Sequence, residues 1–286
     1  ISVSLPDGSA LQTRVTVTPN EANRSYRILG SLATQKLALG KLLEGIIPSS
    51  VVGARLELDS ELSPDVGLLN VSVKGDIDEG SQWNKQKLAG KFDVALLRQL
   101  GSSGGVAVGA IDPHVYTIPR ADINLTLGGS AIKSAGAFGQ ATDKLSLSVN
   151  APRFSDFWPG LPGSLVLNGN LDGSLASHVL GLKGTFSQGK STELGRAPVG
   201  FDVGLKGFWG ELAAGADGWK GTLERLQVSH AGFSAMQEKP LEAMLLPAGA
   251  GGKPEWQLGV SQLRIGLPGK HEVVINQEGA SGREDR

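Results

Sequence analysis

The sequence predicts an all-β protein built mainly from antiparallel strands. The first observation is strict alternation, with apolar residues at every second position in one segment after another. Alternation gives a strand one apolar and one polar face, because successive side chains point to opposite sides of a sheet. The second observation is a series of turn dipeptides, and strands joined by such turns pair antiparallel most readily. The third is that helical candidates are few and short.

The individual elements follow from these patterns in chain order. Alternation predicts strands at residues 54–58, 69–73, 123–127, 145–149, 165–167, 199–205 and 263–267. Turns are indicated by pairs such as Gly128-Gly129, Asn168-Gly169, Asp172-Gly173 and Asp217-Gly218, which supply the positive φ angles of tight turns. Helices of one or two turns are predicted at residues 40–46, 95–100 and 154–158, which Pro48, Gly101 and Pro159 end.

The apolar faces of these strands need a partner. No run of amphipathic helices is available to cover them, so they either meet one another across a sandwich or line a groove that another molecule fills. Flexible breaks are expected near residues 101–105 and 247–254, and neither is long enough to require a domain boundary. The chain begins at Ile1 and ends soon after a strand-like segment at residues 273–275, so we expect it to be cut from a longer protein.

Composition excludes several classes of function. The 286 residues carry 27 basic and 28 acidic side chains, a net charge of −1, whereas a nucleic-acid-binding protein normally has a basic excess or stripe. The chain has no cysteine, which excludes disulfides, thiolate metal sites and cysteine nucleophiles. The four histidines, His114, His178, His230 and His271, lack the spacing of metal ligands. We therefore expect no metal and no cofactor.

Three motifs resemble catalytic or metal-binding sequences. Residues 184–191 match the Walker A pattern, but Gly195 and Pro198 prevent the long helix that a phosphate loop needs, so a hairpin and no nucleotide site are predicted. Residues 101–105 match the G-x-S-x-G nucleophile motif without a following helix. Residues 76–87 begin like a calcium loop, but Lys87 stands where the bidentate glutamate belongs. We expect a protein that is not an enzyme.

Three of the tryptophans stand beside glycine or proline. These are Trp158, Trp209 and Trp219. A stacking platform for sugars or bases would space its aromatic rings along one strand face, and these are not so spaced. We predict that each ring packs over the backbone of a nearby glycine at a corner of the sheet.

One part of the chain resembles a known family. In residues 154–175 a short helical segment leads into G-x-L-x-L-x-G-x-L-x-G, and residues 218–226 contain W-x-G-x-L-x-x-L. Both patterns resemble repeating units of the TamB family, the inner-membrane-anchored subunits of the translocation and assembly module, which belong to the AsmA-like proteins. Residues 177–184 and 205–210 are similar to further strands of that family. Residues 154–228 carry most of the resemblance.

The resemblance implies a fold. The family's fold is an elongated, curved, mainly antiparallel sheet rolled into a hydrophobic groove, the β-taco, with a few short helices. Residues 1–286 would form one continuous groove segment of a longer protein. The residues expected to line the groove are Leu56, Leu58, Leu69, Val71, Val73, Ile123, Leu125, Leu127, Leu145, Leu147, Val149, Leu165, Leu167, Phe201, Val203 and Leu205.

The resemblance also implies a function. The family is associated with phospholipid transport between the two membranes of Gram-negative bacteria and with outer-membrane protein assembly and secretion. The expected location is the periplasmic part of an inner-membrane-anchored protein. Expected partners are phospholipid, a TamA-like outer-membrane β-barrel that meets regions absent here, and unfolded outer-membrane protein clients such as autotransporters. The alternative is a passive structural module of the β-solenoid or adhesin type, which would usually show regular repeats.

Overall fold

The structure is a computed structural model that describes residues 2–4, 8–22, 24–42, 46–65, 67–98, 116–189, 197–212, 217–246 and 255–283. These residues form twenty β-strands, one short α-helix and one 3-10 helix, which confirms the predicted all-β class with antiparallel pairing. The chain divides into unit 1, residues 1–139 and 145–164, and unit 2, residues 140–144 and 165–286. Both expected flexible breaks lie outside the described residues, and the single continuous groove segment stays a prediction.

Unit 1 is an antiparallel meander in which almost every strand pairs with the next one along the chain. The sheet order is β1–β2–β3–β4–β5–β7–β8–β9–β10, and the short β6 pairs with both β4 and β7. Its strands are β1 Ser2–Ser4, β2 Ala10–Asn20, β3 Ser25–Leu37, β4 Ser50–Ser63, β5 Gly67–Ile77, β6 Gln82–Trp83, β7 Gln86–Arg98, β8 Tyr116–Leu127, β9 Ser130–Phe138 and β10 Lys144–Ala151. The helix α1, Leu39–Leu42, lies between β3 and β4.

The strands of unit 2 also pair antiparallel, and the strand order branches at β14. One end of β14 pairs with β15 and the other end pairs with β16. One branch continues as β15–β18–β19 and the other as β16–β17–β20. The strands are β11 Ser164–Ser174, β12 Ser177–Ser187, β13 Val199–Glu211, β14 Asp217–His230, β15 Phe233–Lys239, β16 Leu241–Leu246, β17 Glu255–Leu258, β18 Ser261–Leu267, β19 His271–Gln277 and β20 Ala280–Arg283.

The short helices are partly as predicted. Helix α1 begins one residue before the segment expected to be helical at residues 40–46 and overlaps it; residues 43–45 lie outside the described part. The 3-10 helix Phe154–Asp156 falls within the expected segment at residues 154–158. The prediction of a helix at residues 95–100 is wrong for the four residues that the structure describes. Residues 95–98 end strand β7, because they pair with β8 across a bulge between Ala95 and Leu97.

Three of the predicted turn pairs are strand residues, and one of them, Asp172-Gly173, lies near the end of β11. Asn168-Gly169 lies inside β11, and Asp217-Gly218 opens β14. A Cβ added to Gly169 would lie 2.5 Å from the Leu182 side chain of β12 and 3.0 Å from the Gly181 carbonyl oxygen. Glycine is therefore needed there because β12 approaches closely, which a turn dipeptide pattern cannot distinguish from a need for positive φ.

Fully buried apolar side chains are scarce. Among the described residues they are Tyr116, Ala121, Leu127, Phe138 and Ala151, all of which lie in unit 1. A closed sandwich would bury the inner faces of two packed sheets in a core about 10 Å thick. Among the described residues unit 1 buries five apolar side chains and unit 2 buries none, so neither unit is by itself a closed sandwich.

Candidate functional site

Unit 1 carries an apolar face that crosses strands β2 to β10. The register pairs apolar residue with apolar residue across neighbouring strands: Leu58 with Val73, and Val73 with Val94. Farther along, Leu125 pairs with Ile132, which pairs with Val149. Ten of the eleven predicted groove residues of this unit lie on the face, namely Leu56, Leu58, Val71, Val73, Ile123, Leu125, Leu127, Leu145, Leu147 and Val149. The eleventh, Leu69, falls at a bulge in β5, where Leu68 and not Leu69 pairs with Leu62 of β4.

Unit 2 has an apolar face of the same kind. Val203 of β13 pairs with Leu182 of β12 on one side and with Leu226 of β14 on the other. Alternation then places Phe201 and Leu205 beside Val203 on this face. The predicted residues Leu165 and Leu167 share a face of β11 with Gly169, whose missing Cβ points at the Leu182 side chain. The five predicted groove residues of unit 2 therefore also lie on one face.

Sequence reasoning missed several members of these faces. Phe92 and Val94 of β7, Ile132 of β9, and Leu180 and Leu182 of β12 lie on them. The signal for β7 was present, since residues 88–96 alternate in the same way as the strands that were identified. The helix predicted from residue 95 onward concealed it.

The apolar faces are neither sealed nor fully open to solvent. Of the sixteen residues predicted to line a groove, Leu127 is buried at 6% exposure and Leu58 is exposed at 36%. The other fourteen are half-buried. Each side chain is shielded by its neighbours on the sheet but keeps a surface that another apolar molecule can contact.

The opposite face of unit 1 carries charged side chains. Arg27 bonds Asp59 at 2.7 Å, Arg120 bonds Asp93 at 2.8 Å, and Lys91 lies 3.0 Å from Asp76. The hydrogen bond from the Arg27 guanidinium lowers the pKa of the Asp59 carboxyl below its ordinary value. These pairs join neighbouring strands and keep charge away from the apolar face. Asp76, which began the calcium-like sequence, is used in this way.

Unit 2 keeps its charges apart from its apolar face as well. Asp202 and Arg225 form an ion pair at 2.6 Å, and both alternate with the apolar residues of their strands. Arg264 of β18 pairs with Glu238 of β15 and, at 2.9 Å, with Glu272 of β19. Charge is therefore sorted to one side of the sheet in each unit.

Residues 154–158, which include the 3-10 helix, form a short segment that lies over part of the unit 1 apolar face. The Trp83 indole Nε1 donates a hydrogen bond to the Phe157 carbonyl oxygen at 2.6 Å, and the Asn84 side chain donates to the Ser155 carbonyl oxygen at 2.6 Å. Together with the face, this segment borders a half-open cavity of about 340 Å³. Its lining is Trp83, Leu88, Leu125, Thr126, Leu127, Ser130, Ile132, Phe157 and Trp158.

Trp219 of unit 2 lies over glycine, as predicted. A Cβ added to Gly207 would lie 2.8 Å from the Trp219 ring, and one added to Gly221 would overlap it. The Trp219 Nε1 donates to His178 Nε2 at 3.0 Å, and His178 is 9% exposed. Trp158 departs from the prediction, because it is 42% exposed and lines the unit 1 cavity.

The motifs that resembled catalytic sites have other roles where the structure describes them. Gly184, which would begin a phosphate loop, lies inside β12 and pairs with Phe201. Lys190 and Ser191, the G-x-S-x-G motif at 101–105 and His114 lie outside the described residues. In the described part of the chain, no three His, Asp or Glu side chains are placed to hold a metal ion. That part also contains no helix long and apolar enough to span a membrane.

Comparison with known proteins adds no further evidence. No protein-family model, curated protein or solved structure matches the chain.

Proposed function

We propose that this chain is a segment of a hydrophobic conduit in the periplasm of a Gram-negative bacterium, where its apolar faces hold phospholipid acyl chains. The observation that carries the proposal is the segregation seen in both units. Apolar side chains continue from strand to strand on one face, half-buried, and ion pairs occupy the other face.

The physical argument concerns the barrier to moving a lipid through water. Exposing an acyl chain costs about 0.8 kcal/mol per CH₂, so a sixteen-carbon chain meets a barrier of roughly 13 kcal/mol. Half-buried side chains on successive strands, such as Val73, Val94 and Ile123, offer an acyl chain apolar contact at every step along the sheet. The headgroup stays in water. Such a surface needs no catalytic residue, and we propose that the chain is not an enzyme.

The resemblance of residues 154–228 to the TamB family supplies the biological setting of the proposal. On that resemblance, we propose that the chain belongs to the periplasmic part of an inner-membrane-anchored protein. The partners would be phospholipid and a TamA-like outer-membrane barrel. Unfolded outer-membrane proteins could use the same apolar faces. The competing interpretation is a passive structural module, which would have no need of lipid.

The test is a charge placed on the apolar face of unit 2. In Val203→Arg the sheet should still fold, because a long arginine stem can lie along a half-buried surface with its ionised end in water. We expect less phospholipid to copurify, measured by lipid mass spectrometry, and slower transfer of a fluorescent phospholipid between phosphatidylethanolamine vesicles. The matched control is Gln227→Arg, which adds the same charge to the exposed opposite face beside Asp202.

Three outcomes decide the proposal. Loss of bound lipid in Val203→Arg, with normal folding and an unaffected Gln227→Arg, supports the conduit. Unfolding of Val203→Arg would mean that the face is sealed inside a core, where an unpaired charge costs several kcal/mol. Equal lipid content in both variants and the parent sequence would favour the passive module.

A further inference from the structure

The cavity in unit 1 is lined almost entirely by apolar groups. Leu88, Leu125 and Ile132 form its floor on the sheet, and Trp83, Phe157 and Trp158 form the wall opposite. Of the two hydroxyl residues in its lining, only Thr126 has its hydroxyl group bonded within the described part of the chain. Thr126 donates to the Ala89 carbonyl oxygen at 3.2 Å, and the Ser130 hydroxyl is buried without a partner among the described residues.

The wall is held in place by polar contacts outside the cavity. Besides the bonds from Trp83 and Asn84, the Phe154 N–H donates to the Gly163 carbonyl oxygen at 2.8 Å, which closes the segment into a loop. Asp156 is only 3% exposed, and its carboxylate pairs with Arg153 at 3.3 Å. Side chains that could have filled the cavity are therefore fixed around it, and the space stays open.

The chemistry of the lining selects the occupant. Aliphatic and indole groups without a charge exclude a headgroup and favour hydrocarbon. A methylene occupies about the volume of a water molecule in the liquid, roughly 30 Å³, so 340 Å³ accommodates about eleven methylenes. That is the end of one acyl chain and too little for two. Trp158, at 42% exposure, marks the side from which a chain can enter.

Larger depressions on the opposite face of unit 1 are a poorer choice. One of about 690 Å³ is lined by Arg14, Glu57, Asp59, Lys74 and Arg120, and another of about 550 Å³ is lined by residues such as Asp76, Lys91 and Asp122. Their charged groups include members of the cross-strand ion pairs already described. Apolar side chains such as Leu29 and Phe92 lie among these charges, so an apolar ligand would have to desolvate charged groups there.

We propose that this cavity is a discrete binding site for the end of a single acyl chain, and that it holds one lipid at a fixed point on the apolar face. The proposal rests on the proposed function for the nature of the lipid. It adds a saturable site of defined stoichiometry, whereas the faces alone would hold chains anywhere along their length.

The experiment uses the full chain and a dibrominated C18 fatty acid as the probe, because bromine quenches a tryptophan that it contacts. Trp83 and Trp158 line the cavity, whereas Trp209, Trp219 and Trp256 belong to unit 2. We expect quenching that saturates at one chain per protein. Trp158→Phe should remove a large part of the quenched signal, and Trp256→Phe should leave the quenched signal unchanged.

Affinity is tested with two further variants that stay apolar. Ile132→Phe partly fills the cavity, and Trp158→Ala removes its outer wall, so each should weaken binding by about tenfold, a difference that titration resolves. Trp158 is partly exposed, so its variant should fold even if Ile132→Phe does not, and circular dichroism verifies both. Val203→Arg lies outside the cavity and should keep the one-to-one binding.

Each outcome bears on the cavity separately from the conduit. Unsaturable quenching, or unchanged affinity in folded Ile132→Phe and Trp158→Ala, would overturn the cavity site, while lipid copurification still tests the conduit. Loss of one-to-one binding in folded Val203→Arg would also overturn it. Binding that survives Val203→Arg but is lost in the cavity variants supports the site, whether or not the chain conducts lipid.

Discussion

The two units place tryptophan on their apolar faces with opposite results. In unit 2 the Trp219 ring lies directly on the backbone of Gly207 and Gly221, and Trp256 lies in the same way over Gly282. In unit 1 Trp83 and Trp158 stand opposite Leu88, Leu125 and Ile132, and a cavity remains between them. The same side chain fills space in one unit and encloses it in the other.

The difference lies in the residue beneath the ring. Glycine has no side chain, so an indole can reach van der Waals contact with the strand itself and no space is left. Leucine and isoleucine hold the ring one side chain away from the sheet. When the ring is also fixed at its far end, as Trp83 is by the Phe157 carbonyl oxygen, the gap persists. The residue opposite a tryptophan therefore decides whether the ring packs directly against the strand or covers a cavity above it.

The largest effect is expected from filling the glycine position. In Gly221→Val the new side chain would overlap the Trp219 ring and lie 2.6 Å from the Lys206 carbonyl oxygen, which cannot move without breaking the β13–β14 ladder. Overpacking of this kind costs about 3 kcal/mol. Chemical denaturation followed by circular dichroism measures the free energy of unfolding.

The matched control for Gly221→Val is Gly80→Val. Gly80 lies in a turn of unit 1, and a Cβ there meets no atom within 4 Å. The free energy of unfolding of Gly80→Val should lie within a few tenths of a kcal/mol of the parent value, as is usual for exposed substitutions. Equal destabilisation at both positions would show that the Trp219 contact is not what requires glycine at 221.

The strands of both faces could be predicted from sequence, and the reason is the period of two. The alternating segments at residues 69–73, 123–127 and 199–205 all lie in strands of the structure. They alternate because each strand has one side that water cannot reach freely. The pairing register then brings the apolar sides together. Alternation fixes a face within one strand, so the predicted groove residues, apart from Leu69 at the β5 bulge, came out on consistent faces even though no pairing was known.

Features that depend on contacts between distant residues could not be predicted. Trp83 and Phe157 are 74 positions apart, and nothing in either segment indicates their hydrogen bond. Gly169 looked like part of a turn because the sequence does not show that Leu182 lies against it. The cavity depends on the contact between Trp83 and Phe157, which is why it was missed although Trp158 was singled out.

Removing the rings tests the comparison directly. Trp219→Ala should cost about 2–3 kcal/mol, because a large half-buried ring leaves two bare glycines beneath it. Trp158→Ala should cost no more than about 1 kcal/mol, because that ring is partly exposed and already borders empty space. Thermal or denaturant unfolding of the two variants under the same conditions measures the difference. A larger loss of unfolding free energy in Trp158→Ala than in Trp219→Ala would contradict the distinction between a ring packed on the strand and a ring that covers a cavity.

The smallest effect concerns the bond that orients the packing ring. His178 Nε2 accepts the Trp219 indole proton at 3.0 Å, and His178 Nδ1 lies 3.3 Å from the Leu175 carbonyl oxygen. In His178→Phe the Trp219 indole loses its acceptor. The Leu175 carbonyl oxygen keeps the hydrogen bond that the backbone N–H of Trp209 donates to it at 2.7 Å. We expect a loss of about 1 kcal/mol, the usual net value of one hydrogen bond. His178→Gln, which retains an acceptor, should recover part of it. The indole N–H resonance of Trp219, followed by NMR hydrogen exchange, should exchange faster in His178→Phe than in His178→Gln. Equal exchange in the two variants would mean that the glycine floor alone fixes the ring, and that the polar contact contributes nothing to the way unit 2 closes its apolar face.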